Sequence, residues 1–347
     1  MSTTTVRIGF LPLVDAALLV VAARRGFAEQ EGLNLLLSRE TAWAAVRDKL
    51  AAGLLDAAHY LAPAAVASRL GLGTLATPLV VPAALNLNGN ALAVSRSLHE
   101  GIMSALDGDA CDPAATARAL KHVVERRRRD GQAPLVLAHV FPFSTHHYQL
   151  RMWLAAGGID PQTDVQLTVV PPPAMASSLG RGVVDAICVG SYWSEVAVRA
   201  GAGMPLHRGI DFGRALPEKV LALRADRDRE KPEIAERLVR ALMRSATWSA
   251  EEANRPALAT IMADRDILDA DPDVVADLLA GSPRDGRAPD PDVLCLSPDV
   301  LEPRPAHVDW ILDRMTDAGQ IWPTSECRGQ AHAAYRPDRF VRAMRRD

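Results

Sequence analysis

The sequence predicts an α/β protein with mainly parallel sheets, arranged as two lobes and a helical appendage. Three observations lead there. Short apolar strands alternate with segments of helical period over the first two-thirds of the chain. From about Lys231 the pattern changes to consecutive amphipathic helices. At 347 residues the chain is long for one core and fits two domains of ordinary size. A ligand cleft between two lobes follows from that reading, and a single large doubly wound domain is the rival.

Each element has a local reason. Val6–Phe10 reads as a strand. Asp15 caps a helix that runs to Arg25 and is stopped by Gly26, and Leu33–Leu37 is a second strand. Trp43–Gly53 is a helix with Val46, Leu50 and Leu54 on one face, followed by strand Asp56–Leu61 and helix Pro63–Leu70. Leu79–Leu85 and Ala91–Val94 are strands flanking a turn-like Asn86–Asn90. Asp112 caps a long helix to Arg129, with Pro113 at its first position. Leu135–Val140, Val165–Val170, Asp185–Val189 and Lys219–Leu223 are strands, separated by helices ending near Leu179 and spanning Ser194–Ala200. Glu233–Trp248, Asn254–Ala263, Pro272–Leu279 and His307–Gly319 are helical. Ser282–Pro305, rich in Pro, Gly, Asp and Arg, is irregular, and the end is a short basic tail.

Apolar residues make up 48% and charged residues 23%, as in an ordinary soluble globular protein. The net charge of −3 argues against non-specific nucleic-acid binding across the whole surface while leaving room for a local basic patch, and no direct nucleic-acid partner is expected. Cys111, Cys188, Cys295 and Cys327 are scattered without ligand-like spacing, so reduced thiols and no metal site are expected. The apolar run Ala16–Ala23 imitates the core of a signal peptide. However, Pro12 and Asp15 interrupt its approach, no basic segment precedes it, and Arg24-Arg25 follow it. With no stretch long enough to cross a membrane, a cytoplasmic protein is expected. The run Arg126–Arg129 reads as a solvated helix end that complements the helix dipole.

The stretch Phe141–Pro161, FPFSTHHYQLRMWLAAGGIDP, organises the chain. It reads as a strand end, a turn, and a helix capped by Ser144 or Thr145 and ended by Gly157-Gly158. Imidazoles and backbone N–H groups together at a helix N-terminus suit an anion.

RIGFLPLVDAALLVVAARRGFAEQEGL, TAWAAVRDKLAAGLLDAAHYLAP, NLNGNALAVS, the histidine stretch, VVPPPAMASSL, DAICVG and PEKVLALRAD follow one another along the chain. Together they resemble the nitrate- and bicarbonate-binding proteins of ABC transporters, and within them the cytoplasmic nitrate/nitrite sensor branch (NasS-like). The resemblance spans roughly residues 6–250. It implies a type II periplasmic-binding-protein fold, with lobe I from 1–90 and 218–347 and lobe II from 91–217. It also implies nitrate contacts at Trp43, Asn88, His146, Gly190 and Lys219. The transporter branch usually has Gln at the position of Asn88, and the family commonly has Gly-Glu-Pro-Trp at Gly190-Ser191-Tyr192-Trp193.

Nitrate is planar, singly charged and only an acceptor, so its site should be built from donors with few or no carboxylates. An indole N–H, an amide NH₂, an imidazole, a close backbone N–H and an ammonium meet that requirement. Read alone, each residue has a plainer role. Trp43 packs, Asn88 turns the chain, Gly190 permits a tight approach and Lys219 lies on the surface. His147 stands as the alternative to His146.

The resemblance implies a sensor of nitrate or nitrite that controls a response-regulator-like, RNA-binding antiterminator (NasT-like). The alternative is an exported solute-binding subunit of an ABC transporter. An enzyme on the same fold finds no Gly-rich phosphate loop and no nucleophile–base pair, so no catalytic residue and no cofactor are expected.

Overall fold

The apolar run Val6–Phe10 lies within strand β1 (Thr4–Phe10), the first element of a computed structural model that describes residues 3–73 and 77–345. The chain forms two units. One comprises Met1–Leu87, Leu216–Leu279 and Leu294–Asp347; the other comprises Asn88–Ala215 and Ala280–Val293.

In the first unit β1 is followed by α1 (Ala17–Arg24), α2 (Phe27–Gln30), β2 (Leu33–Arg39), α3 (Trp43–Ala51), β3 (Ala57–Leu61), α4 (Ala62–Arg69) and β4 (Leu79–Asn88). The second unit continues with β5 (Asn90–Val94), α5 (Arg96–Ala105), α6 (Pro113–Arg129), β6 (Leu135–His139), α7 (Thr145–Ala156), β7 (Val165–Val169), α8 (Met175–Gly180), β8 (Ala186–Gly190), α9 (Ser191–Arg199) and β9 (Met204–Arg208). The chain then returns to the first unit as β10 (Pro217–Arg224), α10 (Ala225–Glu230), α11 (Pro232–Ala250), α12 (Arg255–Ala263) and α13 (Pro272–Leu279). After a visit to the second unit it ends with β11 (Leu294–Cys295), α14 (Pro305–Asp317), α15 (Ser325–His332) and α16 (Pro337–Met344).

Among the described residues, six strands of the first unit form a sheet in the order β11-β4-β10-β3-β1-β2. Five strands of the second form a sheet ordered β7-β6-β8-β5-β9. β1 runs parallel to β2 and β3, and β6 runs parallel to β7 and β8. β10 is antiparallel to β3 and β4, and β5 is antiparallel to β8 and β9. The sheets are therefore mixed where mainly parallel ones were expected. Strands β3, β4 and β8 are buried along their whole length, as strands covered on both faces must be.

The apolar run that imitates a signal peptide is a core helix. Residues Ala17–Ala22 of α1 are all buried, and α1 packs on α11 and α12. α11 turns Ala235, Leu238, Val239, Leu242 and Ala246 inward at helical spacing. No described helix is long and apolar enough to cross a membrane. In the second unit the core gathers Leu120, Leu137, Leu150, Trp153, Leu154 and Cys188 from α6, β6, α7 and β8.

Several expectations are corrected. Asp15 does not cap α1; it lies in a short 3-10 turn and is buried in an ionic cluster. Leu54, expected on a buried face, is exposed. Asn86–Asn90 is not an open turn, because β4 runs to Asn88 and β5 begins at Asn90. Asn88 and Gly89 make that junction with φ of 60° and 100°, a left-handed conformation that asparagine and glycine tolerate best. The basic tail contains helices α15 and α16, and α5 had no counterpart among the expected elements. Residues 280–293, assigned from sequence to lobe I, belong to the second unit.

α6 and α7 pack closely where Gly157 ends α7. A Cβ placed there would lie 2.3 Å from the Ala117 carbonyl oxygen. Gly157→Ala should therefore destabilise the protein by about 1–3 kcal/mol, read as a lower urea midpoint at unchanged m-value. An unchanged midpoint would show that the two helices move apart freely.

Candidate functional site

In the first unit, the expected residues gather at the carboxyl ends of the parallel strands. Asp15 follows β1, Trp43 begins α3 four residues after β2, and Lys219 pairs with Leu61, the last residue of β3. His59 lies opposite Leu221, and residues two apart on a strand share a face, so His59 and Lys219 point the same way.

Lys219 is fully buried. Its Nζ is 2.9 Å from Asp15 Oδ2 and 2.6 Å from Glu218 Oε1. His59 Nε2 is 3.0 Å from Asp15 Oδ1. The ammonium lies 5.6 Å from the centre of the Trp43 ring, within cation–π range. Burial works against the ammonium, but the charges of Asp15 and Glu218 and their hydrogen bonds outweigh it and raise the Lys219 pKa. Burial likewise opposes the Asp15 carboxylate, and Lys219 and His59 overcome it and hold its pKa down. Burial, aided by the Lys219 charge, lowers the His59 pKa against the pull of Asp15.

Two of the three ammonium protons thus have carboxylate partners. The Trp43 indole Nε1–H is buried with no hydrogen-bond partner among the described residues. This cluster offers one spare ammonium proton beside an unsatisfied indole N–H. It departs from the expected set of donors in one respect: two carboxylates stand against the lysine.

In the second unit the same logic places Gly190 at the end of β8 and His146 in the first turn of α7, which follows β6. Asn90, at the start of antiparallel β5, is in register with Gly190. His146 and Gly190 therefore lie toward one end of the five-stranded sheet, where α7 and α9 begin, and Asn88 ends β4 two residues before β5. Partial positive charge collects at such helix starts. Ser191 ties this end together by donating N–H and Oγ–H to the Gly89 carbonyl at 2.7 and 2.6 Å. The Asn88 amide donates to the Asp292 carbonyl at 2.8 Å. Asn90 donates to Gln149 Oε1 at 3.0 Å, and Gln149 donates onward to the Gly209 carbonyl at 3.2 Å.

The adjacent histidines differ. Ser144 Oγ accepts the His147 N–H at 3.1 Å and caps α7, as expected. His139 Nδ1 lies 3.0 Å from the Phe141 carbonyl, which only accepts, so Nδ1 carries the proton and Nε2 the lone pair. His147 Nδ1, 3.3 Å from that Nε2, must then donate to it. Neutral His147 is left with an acceptor at Nε2, the wrong polarity for an ion with only lone pairs. That favours His146 of the two. Burial pushes the His139 pKa down to about 4 against its bond to Phe141. Burial, with the charges of His139 and Arg151, pushes that of His147 to about 3.

Sequence reasoning missed Asp15, His59, Glu218, Gln149 and His139. The available signals were an aspartate leading into a wholly apolar helix and an acid directly before the lysine. Arg126–Arg129 end α6 largely in solvent, with Arg127 donating to the Ala133 carbonyl and Arg128 lying 3.7 Å from Asp164. No group of three or more metal-ligating side chains occurs among the described residues.

A family model described as NMT1-like matches residues 1–263. The chain belongs to the NMT1-like family. This NMT1-like chain is 30% identical over 268 residues to the nitrate/nitrite binding protein NrtA of a Nostoc species, covering 76% of this chain and 58% of that protein. It is 32% identical over 261 residues to the bicarbonate transport ATP-binding protein CmpC of Synechococcus elongatus, covering 74% and 37%. The chain thus spans less than two-thirds of either relative's length. The crystal structure of the periplasmic nitrate-binding protein NrtA from Synechocystis superposes with a TM-score of 0.88 at 24% identity, covering 98% of this chain and 88% of that one. The fold is periplasmic-binding-protein-like.

The buried imidazoles fix the sign of an acid effect. Burial lowers the pKa of His59 and keeps His139 and His147 neutral in the folded chain to about pH 4, whereas unfolded imidazoles take up protons near pH 6.5. The unfolded state therefore binds more protons below that pH. Stability is full above about 6.5 and falls by a few kcal/mol as pH drops toward 4. Urea denaturation between pH 7 and 4 should show this fall, and His147→Gln should flatten it; an equal slope in the variant would contradict the neutral imidazole pair.

Proposed function

We propose that the chain binds a small planar oxyanion of the nitrate class without catalysing a reaction on it. Its contacts would be those the sequence resemblance implies: Trp43, Asn88, His146, Gly190 and Lys219. One observation carries the proposal: a buried indole N–H with no partner among the described residues, beside a charged ammonium with two carboxylate partners for its three protons. A buried donor left unmade costs about 1–3 kcal/mol. An ion made only of acceptors answers that cost, and nitrate carries no proton that would need an acceptor in return.

The carboxylates around Lys219 keep the amine charged, at the expense of its net attraction for anions. Selectivity then comes from donor geometry more than from charge. Charge-assisted bonds contribute on the order of 1.5–3 kcal/mol each. Three or four of them, less the cost of ordering the protein, suit a micromolar dissociation constant near −8 kcal/mol.

For the physiological role, the sequence resemblance supports a cytoplasmic nitrate/nitrite sensor that holds or releases an RNA-binding antiterminator of the NasT-like kind as the anion binds. The names of the relatives, a nitrate/nitrite binding protein and a bicarbonate transport ATP-binding protein, favour a second role as the binding subunit of an ABC transporter. Fractionation of the native protein distinguishes them: recovery in the periplasm rejects the sensor, and recovery in the cytosol rejects the exported subunit.

Calorimetry with nitrate, nitrite, bicarbonate and chloride tests the binding itself. Nitrate or nitrite should bind in the micromolar range and chloride more weakly. His146→Ala should lose about tenfold or more. Trp43→Phe, which keeps the ring and removes the N–H, should lose about fivefold. Lys219→Ala should lose at least tenfold but strands two buried carboxylates, so its folding is checked by circular dichroism. Full affinity in both His146→Ala and Trp43→Phe would place the anion elsewhere.

A further inference from the structure

The Pro-, Gly-, Asp- and Arg-rich segment, which the sequence marks only as irregular, does something specific in the second unit. The chain leaves the first unit at Ala280, lays residues 280–293 against the second unit, and returns at Leu294. This strap is fastened by arginine–carboxylate pairs in both directions. Arg208, itself buried, holds Asp285 through two bonds of 2.5 and 2.7 Å and donates to the Ala288 carbonyl at 2.9 Å. Arg287 of the strap grips Asp211 through bonds of 2.6 and 2.8 Å. The Arg284 N–H donates to Glu195 at 3.0 Å. Arg214 reaches Asp290 at 2.8 Å and also pairs with Asp292. Planar two-bond pairs of this kind fix direction as well as distance.

The far end of the strap meets one candidate anion contact, Asn88. The Asp292 carbonyl accepts the Asn88 amide at 2.8 Å, and the Asp292 N–H donates to Asp290 Oδ1 at 2.9 Å, so Arg214, Asp290 and Asp292 form one hydrogen-bonded corner. An amide whose NH₂ is held by a carbonyl cannot flip its oxygen into that place. An oxygen there would face another oxygen, and the bond would be lost.

We propose that the strap sets the orientation of the Asn88 amide, with Arg214 as the positioning residue that holds the Asp292 carbonyl in place. The inference rests on the oxyanion reading for its consequence: an amide held in one orientation discriminates between ions that carry a proton, such as bicarbonate, and nitrate, which carries none. Arg214 itself touches no ligand. It is more than half exposed, so its loss removes a surface pair that contributes little to stability.

Two measurements on the full chain test this separately. The first is the side-chain amide signal of Asn88 in ligand-free protein, assigned by its disappearance in Asn88→Ala. Arg214→Gln should shift that signal and speed its exchange with water. An unmoved signal overturns the proposal whether or not any anion binds. The second is nitrate affinity in a double-mutant cycle. Arg214→Gln should weaken binding about three- to tenfold and lower the preference for nitrate over bicarbonate, and both effects should vanish in the Asn88→Ala background. Equal losses in the two backgrounds would mean that Arg214 acts through general stability, and the positioning role fails. A shifted amide signal in a protein that binds none of the anions would leave the positioning intact and remove the oxyanion reading instead.

Discussion

The ammonium of Lys219 lies fully buried between the carboxylates of Asp15 and Glu218, and the first unit's sheet is arranged around that fact. Removing a charged amine from water costs several kcal/mol unless partners surround it. The partners come from separate places in the chain: Asp15 from the turn after β1, Glu218 and Lys219 from the start of β10, His59 from β3. They meet only because β10 enters antiparallel beside β3, bringing its first residues to the carboxyl ends of β1 and β3. Strand direction, more than side-chain chemistry, makes the cluster. Once formed, it keeps the lysine charged and leaves it a proton near an indole N–H that has no acceptor among the described residues.

The second unit reaches a similar result by other means. Its described donors include no buried lysine; it relies on backbone and amide groups at a sheet end where two helices begin. Ser144 caps α7, Ser191 binds the Gly89 carbonyl, and Gln149 links Asn90 to Gly209. His139 and His147, whose pKa values burial pushes down, form a neutral pair directed by the Phe141 carbonyl. Their role is to support the helix start without adding charge of the wrong sign.

Periodicity made most elements legible: α6 with its Asp112 cap, α7 with Ser144 and the glycine pair, and the buried strands β3 and β8. α1 was expected as a helix, but its burial on all sides was not legible, since an all-apolar run looks the same in a core and in an export signal. The resemblance named Trp43 and Lys219 as candidates, and the structure brings them within cation–π distance. It gave no hint of Asp15, because an aspartate before a helix is ordinarily a cap and only tertiary placement turns it into a counter-ion. The strap was unreadable for a related reason. Its arginines and aspartates pair with residues about 75 to 90 positions away in sequence, and Asp292 acts through a backbone carbonyl that no sequence pattern marks.

The most direct test of the central claim uses the amine of Lys219, one of only four lysines in the chain. With lysine labelled by ¹⁵N at Nζ, the resonance absent from Lys219→Arg can be followed by nuclear magnetic resonance as pH and nitrate are varied. The account predicts an ammonium that keeps its proton to higher pH than the other three and whose signal moves saturably with added nitrate. A Lys219 signal that titrates at lower pH than the exposed lysines, or that ignores saturating nitrate, would contradict it.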